Sequence, residues 1–526
     1  MIRPRPDYGG LMPNSGEISE LAACVLQPGF AGTSAPDWVR RRLAEGLGGV
    51  ALFARNVETP AQVAALTAQL RAERPDVIVA IDEEAGDVTR LESRQGSSRP
   101  GNLALGAIDD PALTEAVAHD LGRDLARAGI TLNYAPDADV NSNPDNPIIG
   151  VRAFGADPAL VARHSAAFVT GLQAAGIAAC AKHFPGHGDT AVDSHHAVPV
   201  IGRGRAELEA CELVPFRAAG EAGTLAVMTG HLLVPAYDPE LPATLSARIL
   251  HDLLRVELGF DGLIVTDGIE MQGVSRKYGL AGATVRALAA GADAICVGGD
   301  HADEQTATAL LDAIVAAVRS GELPEERLRD AVERVRRLAA WTVRTRTETG
   351  AHTGDSAPAG ASVVGLAAAR RAVRVTVAAD GTSSLPLRHP AHVVEFAPPR
   401  NIAIGAETPW GLGAPLDDLL PGTTAVRFAE DDLAGEPDPA ARVLAGLNGA
   451  PLVLVVRDLH RYTWMAATVE GIIAARPETV VVEMGLPERV IGAVHLATFG
   501  ATRACGQAAA EVIAGTSVPA PQPLAA

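Results

Sequence analysis

Residues 262–271 read GLIVTDGIEM. A short β-type run, apolar on both faces, is followed at once by an aspartate and a glycine. Such a run suits a strand buried on both sides, and its end then presents a carboxylate. Two readings of Asp267 stand open at this point. It is a functional group delivered to the edge of a sheet, or it is the N-cap of a helix starting at Gly268, a frequent role for Asp.

The same pattern recurs outward from this stretch. The runs are AACVLQPGF (22–30), GGVALFAR (48–55), DVIVAIDEE (76–84), ITLNYAPDADVN (130–141), IAACAKHF (177–184), LAVMTGHLLVP (225–235) and ADAICVGGD (292–300). Helix-like stretches lie between several of them, such as TPAQVAALTAQLRAE (59–73) and PALTEAVAHDLGRDLARAG (111–129). This alternation predicts parallel strands covered by helices. Eight runs over roughly 300 residues predict a (β/α)8 barrel, whose strand ends carry the chemistry. A doubly wound open sheet is the alternative. No G-x-G-x-x-G follows the first run, which counts against its dinucleotide-binding form.

Periodicity disappears around TETGAHTGDSAPAGAS (347–362), a composition typical of a linker. Strand-like runs then return at 370–380, 391–399, 451–458 and 478–484, with a helical stretch at 463–477. The fold class is therefore α/β. A barrel over 1–346 is followed by a linker over 347–362 and a smaller α/β sandwich domain over 363–526.

Composition narrows the function. Apolar residues make up 48% of the 526, and the formal net charge is −19. An acidic surface repels nucleic acid and anionic membranes, so neither is expected as a partner. The five cysteines are odd in number, far apart and mostly in apolar runs, which argues against a disulfide framework or zinc ribbon. The first thirty residues lack the apolar stretch of a signal peptide, and no uncharged run is long enough for a bilayer. A soluble, cytoplasmic protein is expected.

The polar groups at run ends are Asp82, Lys182, His183, His231 and Asp267. In a barrel all of them face one mouth. Residues 182–196, KHFPGHGDTAVDSHH, hold four histidines and two aspartates on a stretch that Pro185, Gly186 and Gly188 keep irregular. Asp193 lies two residues from His195, a spacing that lets a carboxylate fix one ring nitrogen and free the other for proton transfer. A solvated loop with an Asx-turn is the plainer reading of the same residues. Lys182 is one of only two lysines, the other being Lys277, in a chain that otherwise writes positive charge as arginine. A compact ammonium suits hydroxyl recognition. His183 and His187 are four apart, but Pro185 and Gly186 deny them a helix, so no metal is assigned. His187 and His196 are expected to bond loop carbonyls.

KHFPGHGDTAVDSHHAVP, VMTGHLLVPAYDPELPATLS and GLIVTDGIEM together resemble the family 3 glycoside hydrolases, in their β-N-acetylglucosaminidase branch. GGVALFARNVETPAQVAALT and NYAPDADVNSNPDNPIIGVRAFG fit the same family, so the resemblance spans about residues 20–345. HLATFGATRACGQAAAEVIAG ties the second domain to the family's C-terminal sandwich more weakly. The resemblance implies Asp267 as nucleophile, His195 as general acid/base and Asp193 as its support. It implies sugar contacts by Asp82, Arg90, Arg152, Lys182 and His183, with no cofactor and no catalytic residue in the second domain. One stretch departs from the family: its usual D-Q-E-G-G-R-V is here Asp82-Glu83-Glu84-Ala85-Gly86-Asp87-Val88.

The expected activity is a retaining exo-β-N-acetylglucosaminidase acting on muropeptides or chitin-type oligosaccharides, as monomer or homodimer. Two alternatives stand beside it. One is a phosphorylase giving GlcNAc 1-phosphate, since a neutral histidine base does not repel phosphate. The other is a non-catalytic sugar-binding protein, against which the intact Asp267, Asp193 and His195 argue.

Overall fold

The computed structural model describes residues 15–190, 198–299, 301–348, 361–378, 385–399, 401, 403–405 and 408–517. Each of the eight apolar runs contains a parallel strand: β1 (Leu26–Pro28), β2 (Gly49–Leu52), β3 (Ile78–Ile81), β4 (Leu132–Asn133), β5 (Ala178–Phe184), β6 (Ala226–Thr229), β7 (Leu263–Thr266) and β8 (Ile295–Val297). Every residue of these strands is buried, as runs apolar on both faces require. Strands β2 to β7 pair in sequence order. The sheet then curls back, because Val265 bridges to Ala294 and β8 pairs with β1. First and last strands of an open doubly wound sheet would not meet in this way, so the barrel reading holds. β1 and β2 meet through loops, where the Gly48 amide donates to the Ala23 carbonyl at 3.3 Å.

The covering helices begin where their caps predict. Thr59 accepts from the Gln62 amide to start Pro60–Glu73, and Asp110 accepts from the Leu113 amide to start Pro111–Arg127.

A second sheet holds β9 (Arg374–Val377), β10 (His392–Ala397), β11 (Thr424–Ala429), β12 (Leu452–Val456), β13 (Val480–Glu483) and β14 (Val494–Ala497). Its order is β11-β10-β12-β13-β14-β9, and only β9 runs antiparallel, against β14. Apolar clusters on both faces bury it against helices. Two of its strands, β11 and β14, were not expected from the sequence, and the expected run at 370–380 begins as helix, because Val363–Ala372 is helical. The expected linker lies largely outside the described residues: the helix Glu325–Glu348 runs into it, and Ser362 caps the helix that follows. Among the described residues no helix is long and apolar enough to cross a membrane.

At the end of the barrel opposite the strand C-termini, Asp293 is fully buried just before β8. Its Oδ2 accepts from the Ile264 amide at 2.9 Å and from Arg255, and its Oδ1 from Arg327 at 2.6 Å. Removing this carboxylate leaves two guanidinium groups without their buried counter-charge. Asp293→Ala is expected to lower unfolding free energy by about 3–5 kcal/mol, read as a shifted denaturant midpoint.

Candidate active site

Because the barrel strands are parallel, their C-terminal ends share one mouth. β5 brings two consecutive functional side chains there. Side chains alternate along a strand, so Lys182 and His183 would ordinarily point apart. The register between β5 and β6 slips at this place: Ala181 pairs with Val227, and Phe184 with Thr229. The extra residue is a bulge, a device that re-aims side chains. Both Lys182 and His183 join one network as a result.

Lys182 Nζ binds Asp82 Oδ1 and lies 2.7 Å from Glu84 Oε1. The other oxygen of Asp82 accepts from Arg90 at 3.1 Å. Glu84 also takes the fork of Arg152, with Nε at 3.0 Å from Oε2 and NH2 at 2.7 Å from Oε1. The same NH2 stands 3.4 Å from His183 Nε2, and His183 Nδ1 is 2.7 Å from Asp139 Oδ2. The Nδ1–H tautomer of His183 satisfies both contacts, donating to Asp139 and accepting from Arg152. Asp139 Oδ1 accepts from the backbone amides of His183 and His187 at 3.2 and 2.7 Å.

Charge survives here only because it is paired. Burial alone would discharge Lys182, but Asp82 and Glu84 outweigh it and raise the pKa above the ordinary lysine value. Burial would likewise protonate Glu84, yet Arg152 and Lys182 hold its carboxyl far below the carboxylate range. At Asp137 the balance tips the other way: burial and the charge of Asp139 outweigh Arg152 and Lys182 and push the pKa well above its usual value. Ligand atoms of Asp137, Asp139 and His183 lie within 4.8 Å of one another. The Arg152 guanidinium, 3.6 Å from Asp137 Oδ2, occupies their cationic side.

Asp267 follows β7 and is half-buried, with its Oδ1 accepting from the Gly268 amide at 2.8 Å. It is not a helix cap: the next helix is Gln272–Ala290, and Met271 stands at its N-cap. His231 Nε2 donates to the Gly268 carbonyl at 2.9 Å, and its Nδ1 meets Thr244 Oγ1 at 2.8 Å. His231 thereby pins the backbone beside Asp267.

Asp193, His195 and His196 lie outside the described residues. The approach to them is set by glycine. A Cβ on Gly188 would sit 1.7 Å from the Val140 carbonyl oxygen, and Gly186 has φ +127°. His187 Nδ1 meets the Thr190 hydroxyl at 2.7 Å. Burial lowers its pKa to about 4, so the ring is neutral.

Sequence reading missed Glu84, Asp137 and Asp139. The available signal was the alternation of acids just past strand ends, in DEE and PDAD. It also missed the second sheet's contribution. Arg90 NH2 donates to the Ala403 carbonyl at 2.9 Å, and Asn401 Nδ2 reaches the Pro147 and Ile148 carbonyls at 3.2 and 3.0 Å. The altered 83–87 stretch is part of this contact. Asp87 accepts from Arg457 at 2.5 Å and from the Ala501 amide at 2.8 Å.

Glu83 folds the loop that carries Arg90. Its Oε2 accepts from Thr89 Oγ1, the Arg90 amide and the Leu91 amide at 3.1, 2.6 and 2.8 Å. Burial raises its pKa from 4.5 to about 7. The folded protein therefore keeps a proton that the unfolded chain loses first, and stability falls as pH rises from 4.5 to about 7. Glu83→Gln keeps an acceptor oxygen without the titration. It is expected to remove about 3 kcal/mol of that fall, measured as unfolding free energy against pH.

The glycosyl hydrolase family 3 N-terminal domain matches residues 34–338. β-Hexosaminidase A of Pseudoalteromonas piscicida is 35% identical over 316 residues, 56% of this chain and 53% of that protein, so the chain spans about half that relative's length. A β-hexosaminidase of Pseudomonas aeruginosa is 41% identical over 270 residues, covering 50% of this chain and 79% of the relative. Among solved structures, a family 3 β-N-acetylglucosaminidase from Paenibacillus sp. str. FPU-7 superposes with a TM-score of 0.82 at 34% identity, over 95% of this chain and 97% of that one. With the family domain matched over more than half its length and the barrel mouth built as described, the chain belongs to glycosyl hydrolase family 3, beside that family's β-hexosaminidases and β-N-acetylglucosaminidases.

Proposed function

We propose that the protein is a retaining, exo-acting β-N-acetylhexosaminidase that releases terminal GlcNAc from muropeptide or chitin-type oligosaccharides. The observation that carries this reading is the paired network at the barrel mouth. Asp82, Arg90, Lys182, Arg152 and His183 lock one another there through Glu84 and Asp139. Groups held by their own counter-charges present fixed donors and acceptors to sugar hydroxyls, with little reorganisation on binding. The names of the similar proteins support the N-acetylhexosamine specificity.

In this proposal Asp267 attacks the anomeric carbon while His195, oriented by Asp193, protonates the departing oxygen. A covalent glycosyl-enzyme forms, and His195, now neutral, takes a proton from water as it attacks. The anomeric centre is cation-like in both transition states, so the Asp267 carboxylate also stabilises it electrostatically. His231 is a positioning residue in this scheme, because it holds the Gly268 carbonyl rather than substrate.

Incubation with 4-nitrophenyl β-N-acetylglucosaminide, with and without phosphate, is expected to yield free GlcNAc at one rate. GlcNAc 1-phosphate formed in proportion to added phosphate would replace the hydrolase by a phosphorylase. Asp267→Ala is expected to lower kcat by at least about 10³-fold, and unchanged turnover would sink its assignment as nucleophile. His195→Ala is expected to spare substrates with good leaving groups and to lose about 10²–10⁴-fold on poor ones. Equal losses on both would count against an acid role.

A further inference from the structure

The chain that follows β10 lays Asn401 against the barrel, and both polar atoms of its side chain are in use. Nδ2 donates to the Pro147 and Ile148 carbonyls at 3.2 and 3.0 Å, and Oδ1 accepts from the Ala403 amide at 2.9 Å. The Asn401 carbonyl also accepts from the Ile404 amide at 3.2 Å. One end of the amide thus closes an Asx-turn, while the other grips a separate stretch of chain. That stretch is itself fixed. Asn146 is fully buried, its Oδ1 accepts from the Ile148 and Ile149 amides at 2.9 and 3.0 Å, and its Nδ2 donates to the His187 carbonyl at 2.8 Å.

Both ends of this bracket lead to arginines of the barrel mouth. The Ala403 carbonyl, set by the turn, accepts from Arg90 NH2 at 2.9 Å, and the same nitrogen reaches Asp82 Oδ2 at 3.1 Å. An NH2 group has two hydrogens, so both are committed, and two acceptors on one nitrogen fix the plane of a guanidinium. Asp82 alone would leave that plane free to swing. The Ile148 carbonyl in turn also accepts from Arg152 NH1 at 3.3 Å. Arg90 and Arg152 therefore share a frame, and Asn401 is the piece of it that crosses from the second domain. Few side chains could replace it. An aspartate has no donor, and a serine has only one.

We infer that Asn401 is a positioning residue for sugar binding: it sets the Ala403 carbonyl against the fixed barrel loop, and that carbonyl orients the Arg90 guanidinium. This inference rests on the glycosidase reading above, in which Arg90 meets the terminal sugar. It gives the second domain a part in binding while the barrel performs the chemistry. Docking of the domain does not hang on this residue, because Asp87 still binds Arg457 and the Ala501 amide, and Arg374 NH2 still donates to the Ala107 carbonyl at 2.8 Å.

The test compares the full chain with Asn401→Ala, Arg90→Ala and the double variant. The readouts are kcat and KM on 4-nitrophenyl β-N-acetylglucosaminide, the Kd for GlcNAc by calorimetry, and Tm. Asn401→Ala is expected to raise KM and the GlcNAc Kd together by about 10-fold, with kcat changed by less than about 3-fold, as loss of binding common to ground and transition states requires. In the Arg90→Ala background the same change is expected to cost about 2-fold or less, because the group it orients is gone. A lowered Tm with KM and Kd unmoved overturns the inference and makes Asn401 a docking contact only. Equal costs in the two backgrounds overturn it as well, since Asn401 then does not act through Arg90. A wild type that binds GlcNAc and cleaves no β-N-acetylglucosaminide overturns the glycosidase reading, and the Kd values alone then decide the role of Asn401.

Discussion

A lysine ammonium with 2% of its side chain exposed cannot stand without carboxylates, and the mouth of the barrel is organised around that demand. Lys182 draws in Asp82 and Glu84. Glu84 has two oxygens and shares them with Arg152, which turns the loop 150–152 inward. Arg152 then meets His183, and His183 meets Asp139 in the loop that follows β4. Each charge is tolerated because the next one is present. Removing one partner would strand the others in a medium that solvates them poorly. The bulge in β5 belongs to the same constraint, since without the extra residue Lys182 and His183 could not both face the network.

The altered 83–87 stretch is consistent with this logic. Glu83 sits in a pocket that keeps it protonated up to about pH 7, where it staples three donors of the Arg90 loop. Asp87 stands where the family usually carries arginine. An arginine there would confront Arg457 of the second domain, whereas the aspartate pairs with it. The two changes preserve the position of Arg90, which is held from one side by Asp82 and from the other by the Ala403 carbonyl. The second domain is thus a wall of the site.

Much of this was legible beforehand. Eight apolar runs each yielded a strand, because a strand buried on both faces leaves an unbroken apolar signature. Asp82, Lys182, His183 and Asp267 could be placed at one mouth, because parallel strands in a barrel have no other place for their C-terminal ends. The weaker strands were not legible. β11 is an edge strand whose residues are mostly exposed, so its pattern carries no burial signal, and β14 holds a buried histidine, His495, that interrupts its apolar run.

By itself, then, the sequence determined the alternation of strand and helix, the two-part α/β architecture and the strand-end groups, all of which follow from local periodicity and covalent order. Only the tertiary structure decided which charges neutralise which. The Lys182–Glu84 and Arg152–Glu84 pairs join residues 98 and 68 positions apart, and Arg457 finds Asp87 across 370. Whether an acidic group is ionised or neutral depends on such partners and on burial. Glu83 and Glu84 are adjacent in the chain, yet their pKa values move in opposite directions, because burial prevails over the neutral donors around Glu83 whereas two cations overcome it at Glu84.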